Sequence, residues 1–258
     1  MSGRLKSLAR RLRRGLRADG APAVRPAASF EEVERAERIF YLEYLRAGMT
    51  VFDVGANVGD LTTLFSRFVG RAGRVHAFEP TGEGFERLSA VCRAASLDNV
   101  VANRLALAER EGTVRLHVYG GQHLSWTTRA ARPLEEYGIS VRPAATEEVP
   151  ATTAELYCER HQIGQIDLLK IDVEGAELQV MHGAERLLRE GRVRCLTFEF
   201  GQTTFDMGNS PEAIEDFLEG VGYEVRNLVT GDPVFPGREG ARAALYSMHL
   251  AAPKGASR

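Results

Sequence analysis

Val51-Phe52-Asp53-Val54-Gly55-Ala56-Asn57-Val58-Gly59 is the stretch on which the reading of this chain turns. The apolar run Thr50–Val54 has the length of a short buried strand, two glycines let the chain turn sharply, and a helical pattern follows. Strand, glycine turn and helix make the corner at which open α/β sheets hold ligands, outside the carboxyl ends of their strands. The free N–H groups that open the following helix suit a carboxylate.

Outward from this corner the pattern repeats. Short apolar runs at Arg74–Phe78, Val100–Leu105, Asp167–Ile171 and Arg194–Phe200 read as further buried strands. Between them, Phe85, Leu88, Val91, Cys92 and Ala95 share one helical side, and Ala176–Glu190 turns Leu178, Met181, Ala184, Leu187 and Leu188 inward before stopping at Gly191. Ser210-Pro211 opens a late helix, and Tyr223–Val229 and Ala244–Ala251 pair as antiparallel strands. The alternation predicts an α/β fold, Rossmann-like and doubly wound, with a mostly parallel seven-stranded sheet and an antiparallel C-terminal strand. Ser29 and Glu32 spell a capping box for a leading helix with Val33, Ala36, Phe40 and Tyr44 on one face, ending near Gly48. Residues 29–258 would form this one domain, since 258 residues suffice for one large core and are few for two. Glu111–Gly164 interrupts the alternation with an edge strand at Thr113–Tyr119 and a loop-rich centre from Gly120 to Pro150, the length of a lid or binding loop.

Charge narrows the partners. Arg4, Lys6, Arg10, Arg11, Arg13, Arg14 and Arg17 all precede the first acid, Asp19, so a net charge of −2 becomes about −9 for the rest of the chain. An acidic body argues against a nucleic-acid groove. Leu5, Leu8, Leu12 and Leu16 recur at helical spacing among those cations, so residues 1–17 read as a solvated tail or as a helix on an anionic membrane or an acidic partner. Ala18–Ala28 is a linker, which sets residues 1–28 apart. No apolar run reaches the roughly 20 residues of a membrane span, and Cys92, Cys158 and Cys195 form no metal or redox pair. The expectation is a cytoplasmic protein with buried thiols, peripheral to a membrane at most.

Glu79 closes the second strand, twenty residues after Gly59. An acid there is placed to accept from both hydroxyls of an adenosine ribose, or simply to cap the helix at Thr81. A nicotinamide dinucleotide would satisfy the same logic, but its pyrophosphate wants G-x-G-x-x-G. Here position 57 is Asn, and Asp53 would repel a phosphate. A sulfonium cofactor, positively charged and without phosphate, fits the loop better. Asp167–Glu177, D-L-L-K-I-D-V-E-G-A-E, then ends a strand and opens a helix with acids at 172, 174 and 177. Glu199 ends the next strand, so Asp172 and Glu199 should meet at neighbouring strand ends.

D-V-G-A-N-V-G, A-F-E-P at Ala77–Pro80 and K-I-D-V-E-G-A-E occur in this order across residues 49–200, and in them the chain resembles the FkbM-type methyltransferase family. The resemblance implies S-adenosylmethionine as methyl donor and O-methylation of a sugar, glycan or secondary-metabolite hydroxyl. It further implies that Asp53, Gly55, Asn57, Gly59 and Thr62 line the methionine part, that Glu79 holds the ribose, that Leu105–Ala108, with Ala106, lie beside the adenine, and that Asp172 faces the methyl group. In the insertion only Ser125 finds a counterpart.

An acceptor hydroxyl is a poor nucleophile until its proton is taken or stabilised. Asp172 as base, oriented by Glu174 or Glu199, is one solution; Asp172 and Glu199 on a divalent cation such as magnesium is the other. The first is favoured because a magnesium site keeps only one or two protein carboxylates. Glu177 reads as a partner of the helix dipole. His123 and His161 are further candidate bases, although a lone loop histidine is more often a surface residue, and Trp126 could stack on a sugar or an aromatic acceptor. Two other functions stay open at this point: a nicotinamide-dependent oxidoreductase, and a catalytically silent module of a biosynthetic complex docked through its arginine-rich segment.

Overall fold

The structure, a computed structural model, describes residues 27–255. The basic segment and most of the linker, with the expectations attached to them, lie outside the described residues. Helix α1 (Phe30–Tyr44) opens with the expected capping box, Ser29 accepting from the Glu32 amide and Glu32 from that of Ser29, and stops four residues short of Gly48. The alternation then runs β1 (Thr50–Val54), α2 (Asp60–Val69), β2 (Arg74–Phe78), α3 (Gly82–Ala94) and β3 (Val100–Asn103). It resumes at α4 (Ala154–Arg160), β7 (Leu168–Ile171), α5 (Glu177–His182), α6 (Glu185–Arg189), β8 (Leu196–Phe200), α7 (Gln202–Asp206), α8 (Pro211–Gly220), β9 (Tyr223–Asn227) and β10 (Ser247–Pro253).

Seven strands form one sheet in the order β3-β2-β1-β7-β8-β10-β9, parallel throughout except for β10, which runs against both of its neighbours. Side chains alternate between the faces of a strand, and this sorts the core into two layers. Val51, Val75 and Leu168 pack with Tyr41 of α1 and Phe65 of α2. Phe52, Val54, Phe78, Leu169, Ile171 and Phe198 point the other way, against α4, α5, α6 and α8. Truncating any of the buried phenylalanines would remove about 3–5 kcal/mol.

Three elements depart from the sequence pattern. The run Val100–Leu105 is not one strand: after Asn103 the chain leaves the main sheet, and β4 (Ala106–Leu107) pairs instead with β6 (Ala145–Thr152). The insertion is accordingly not loop-rich up to Pro150. β5 (Gly112–Val118) and β6 form an antiparallel pair, and with β4 they make a second sheet in the order β4-β6-β5, its inner side closed by Val114, Leu116, Val118 and Val149 on Leu124. β6 was hidden by Glu147-Glu148 and Pro150. The proline is tolerated because β4 pairs with β6 only from Ala151 onward, so its missing N–H breaks no rung. Finally, the Ala176–Glu190 helix is broken at Gly183, where a Cβ would come within 2.0 Å of the Ala108 carbonyl oxygen. That contact sets the end of β4 against the helical layer, and the Glu155 amide of α4 donates to the Gly183 carbonyl at 3.1 Å.

Candidate active site

A cavity of about 570 Å³ opens at the carboxyl ends of β1, β2, β7 and β8. Its floor on one side is the glycine corner. Gly55 holds φ +79°, and a Cβ there would lie 1.8 Å from the Asp172 carbonyl oxygen, so only glycine lets β1 and β7 end this close. The Gly55 and Ala56 amides both donate to the Phe78 carbonyl at 3.0 Å, which fixes the loop against β2. Glu79 lines the cavity and also serves the helix start: its carboxyl accepts from the Asn57 amide at 3.0 Å and from the Thr81 amide and hydroxyl at 3.0 and 2.6 Å. The Asn57 side-chain oxygen is buried in the same wall and finds no hydrogen-bond partner among the described residues. Buried polar atoms left unpaired are rare and point to a missing donor. Leu105, Ala106 and Leu107 add an apolar strip beside Glu79.

Asp53, Gly59 and Thr62 stand elsewhere. Asp53 and Thr62 are fully buried behind the loop, the Thr62 hydroxyl donating to Asp53 at 2.6 Å, and Gly59 begins α2 against Leu88. None of the three lines the cavity; Asp53 and Thr62 brace the loop that does.

The opposite side is acidic. Asp172, Glu174 and Glu199 all line the cavity, and the Asp172 and Glu199 carboxyls share a hydrogen bond. Burial drives the Glu199 carboxyl well above the usual range, with Glu174, Asp172 and Glu177 adding to the effect, which favours the protonated form that can donate to Asp172. Burial also disfavours the Asp172 carboxylate, yet Lys170 and the hydrogen bonds from Glu199 and Lys170 outweigh it and hold the group below its ordinary value. Glu174 is pushed up to about 8 by burial and by Asp172, with Arg132 only partly offsetting them. Asp172 is therefore the cavity acid held most firmly as an anion, and its side chain keeps 35% of its surface open. Among the described residues no three His, Cys, Asp or Glu side chains are grouped to hold a metal ion.

Glu177 does not reach the cavity. Its carboxyl accepts from the Val173 and Gly175 amides at 3.0 and 3.1 Å and closes the turn ahead of α5. His123 and His161 are likewise outside the cavity lining, the latter lying against Tyr157 with ring centroids 4.2 Å apart. The insertion contributes Ser125, Trp126, Thr127, Arg129 and Arg132 to the wall. Neither arginine is uncommitted. Arg129 grips Glu109 with two bonds of 2.8 and 3.1 Å. Arg132 bonds Asp206 at 3.2 Å, approaches Glu174 at 3.9 Å and lies 5.8 Å from the Trp126 ring centre.

Several residues in and beneath the cavity wall escaped the sequence reading. Lys170 is buried among Asp53, Asp172 and the Gly55 carbonyl; a lone lysine in the apolar strand L-L-K-I was its only signal. Glu34 and Tyr246 meet in the cavity wall, the tyrosine hydroxyl donating at 3.0 Å, with the Phe30 ring tilted against that of Tyr246 at 4.8 Å between centroids. Nothing local marks these, because α1 and the approach to β10 lie far apart in the chain.

Residues 53–225 match the Methyltransferase FkbM domain family. Over 218 residues the chain is 30% identical to the 31-O-demethyl-FK506 methyltransferase FkbM of Streptomyces tacrolimicus, covering 76% of this chain and 79% of that protein. Among solved structures it is similar to the methyltransferase FkbM from Methylobacillus flagellatus KT, at 13% identity and a TM-score of 0.48, over 82% of this chain and 50% of that one, so it spans half the length of that relative. It is also similar to Aeropyrum pernix fibrillarin in complex with natively bound S-adenosyl-L-methionine, at 17% identity and a TM-score of 0.44, over 85% of this chain and 74% of that one. The matched segment begins at the acid beneath the glycine corner and runs through the cavity acids Glu79, Asp172, Glu174 and Glu199 into β9, and the chain belongs to the FkbM methyltransferase family.

Proposed function

We propose that the protein transfers the methyl group of S-adenosylmethionine to an acceptor hydroxyl of a sugar, glycan or secondary metabolite. The observation that carries this reading is a single cavity that joins the Gly55–Asn57–Glu79–Ala106 wall to the Asp172–Glu199 pair. The family membership sets the nicotinamide reading aside, in keeping with the absent third glycine.

The residues present fit the donor. The unpaired Asn57 oxygen offers an acceptor for an ammonium or hydroxyl proton. Glu79, with three donors already on its two oxygens, keeps room for a ribose hydroxyl. The Leu105–Leu107 strip suits a flat heteroaromatic ring. When bound, S-adenosylmethionine would supply an electrophilic methyl on a positively charged sulfur. Asp172 would accept the hydrogen bond, and then the proton, of the acceptor hydroxyl. Glu199, protonated, would hold the Asp172 carboxylate in place without competing as an anion. Trp126 and the paired Arg132 would shield the cleft from water. The relative from Streptomyces tacrolimicus is named as acting on a 31-O-demethyl compound, which supports oxygen as the acceptor atom.

Calorimetric titration of the protein with S-adenosylhomocysteine and, separately, with NADH tests the donor. Binding of the first and not the second is the expected result; no binding of S-adenosylhomocysteine at millimolar concentration would overturn the reading. Labelled-methyl transfer from S-adenosylmethionine into extract, with and without EDTA, then separates an enzyme from a silent module. Transfer that survives EDTA supports Asp172 as base, and transfer that EDTA abolishes assigns the two carboxylates to a cation.

A further inference from the structure

Lys170 stands in a row set by the sheet register, opposite Asp53 on β1 and opposite Thr197 on β8. Strand alternation sends all three side chains to the α1 face. The Lys170 ammonium donates to the Gly55 carbonyl at 3.0 Å and lies 3.4 Å from Asp53 and 3.3 Å from Asp172. The ammonium hydrogen-bonds the Gly55 carbonyl and forms ion pairs with the two aspartates, and at 2% exposure it is closed off from a substrate. Above the row, α1 lowers Tyr41 and Glu37. The Tyr41 hydroxyl donates to Glu37 at 2.8 Å and is 3.0 Å from the Thr197 hydroxyl. The buried Glu37 carboxyl acts electrostatically on both Lys170 and Asp172.

Gly55 belongs to the donor side of the cavity and Asp172 to the acceptor side, and they are held together tightly. The Asp172 amide donates to the Val54 carbonyl at 3.1 Å, and the Gly55 backbone leaves no space before the Asp172 carbonyl. Lys170 adds the side-chain bond that reaches both.

We propose that Lys170 is a positioning residue that locks the Gly55 loop to the Asp172 carboxylate. The proposal rests on the methyl-transfer reading above.

The test compares Lys170→Met, Lys170→Gln and Lys170→Arg by thermal unfolding, by calorimetry with S-adenosylhomocysteine, and by carboxyl carbon NMR of aspartate-labelled protein, with Asp172 assigned through Asp172→Asn. Lys170→Met and Lys170→Gln leave Asp53 and Asp172 without their cation and are expected to lose stability, the glutamine less because it can still donate to the Gly55 carbonyl. In both, affinity should fall at least about tenfold below wild type, the loss expected for a charged hydrogen bond, and Asp172 should titrate at higher pH than in wild type. Lys170→Arg, which keeps the charge, should return the Asp172 titration toward wild type. A folded Lys170→Met or Lys170→Gln protein with wild-type affinity and wild-type Asp172 titration would reduce Lys170 to a structural role and overturn the proposal, as would a Lys170→Arg protein whose Asp172 titrates as in the uncharged variants. Wild-type protein that does not bind S-adenosylhomocysteine overturns the donor reading, and the positioning role with it.

Discussion

Asp172 and Glu199 divide one proton unequally, and the division follows from what stands behind each. Lys170 is 3.3 Å from Asp172, whereas Glu199 faces Glu174, Asp172 and Glu177. A base kept ionised at neutral pH, with a neutral acid bonded to it, takes a proton without first losing one. Asp172→Asn keeps the shape and the bond to Glu199 and removes only the anion. Methyl transfer to a competent acceptor should fall by about 10²–10⁴-fold, the usual worth of a positioned general base, while S-adenosylhomocysteine binding, followed by calorimetry, stays near wild type. Wild-type turnover in this variant would move the base elsewhere in the cavity.

The part of the insertion between β5 and β6 is tied to the main domain by buried polar contacts. Arg132, between its two turns Gly121–Trp126 and Leu134–Tyr137, bonds Asp206 on α7, and Tyr137 reaches the other Asp206 oxygen at 2.6 Å. Thr128 donates to the Glu174 carbonyl at 2.5 Å. Arg132→Ala would leave Asp206, at 1% side-chain exposure, without its cation. A cost on the order of 3 kcal/mol is expected for breaking such a pair, measured by urea unfolding, with faster protease cleavage between residues 120 and 144; unchanged stability and cleavage would show that Tyr137 alone suffices. These contacts were not legible in the sequence, because ion pairs between remote elements leave no periodic trace. The main-sheet strands were legible, β1 and β2 to the residue, since a strand buried on both faces writes itself as an apolar run. Half-exposed β6, with Glu147-Glu148 and Pro150, writes nothing of the kind. The carboxylates Asp172 and Glu199 could be placed together from strand order alone, while Lys170, although two residues from Asp172, required the register to show what it touches.

Buried acids also set how the whole domain responds to pH. Burial raises Glu37 and Glu177 to about 7 and Glu174 to about 8, against 4.5 unfolded. Between those values the folded chain holds more protons than the unfolded one, so their contribution is complete below about pH 4.5 and is lost as pH rises through 7 to 8. His76 and His249, pushed down to about 4 by burial, act in the opposite sense and only below their unfolded 6.5. From pH 6.5 to 8 the carboxyls therefore decide, and the stability of the ligand-free protein should decline across that interval, by at most about 1.4 kcal/mol per differing proton per pH unit, and its melting temperature with it. A flat or rising profile in scanning calorimetry would mean that these acids are already ionised in the fold. The cavity itself draws on residues beyond the family-matched segment, for Phe30, Glu34 and Tyr246 belong to its wall.

β10 occupies the slot between β8 and β9, antiparallel to both. Ribosomes deliver β9 before its partner exists, so a nascent chain that has not reached residue 247 carries two unpaired strand edges facing a gap one strand wide. Such a gap is a template for a strand from another chain. Stalled or clipped synthesis just upstream of β10 would thus yield a species prone to swapping and aggregation, rather than a soluble protein with a missing tail.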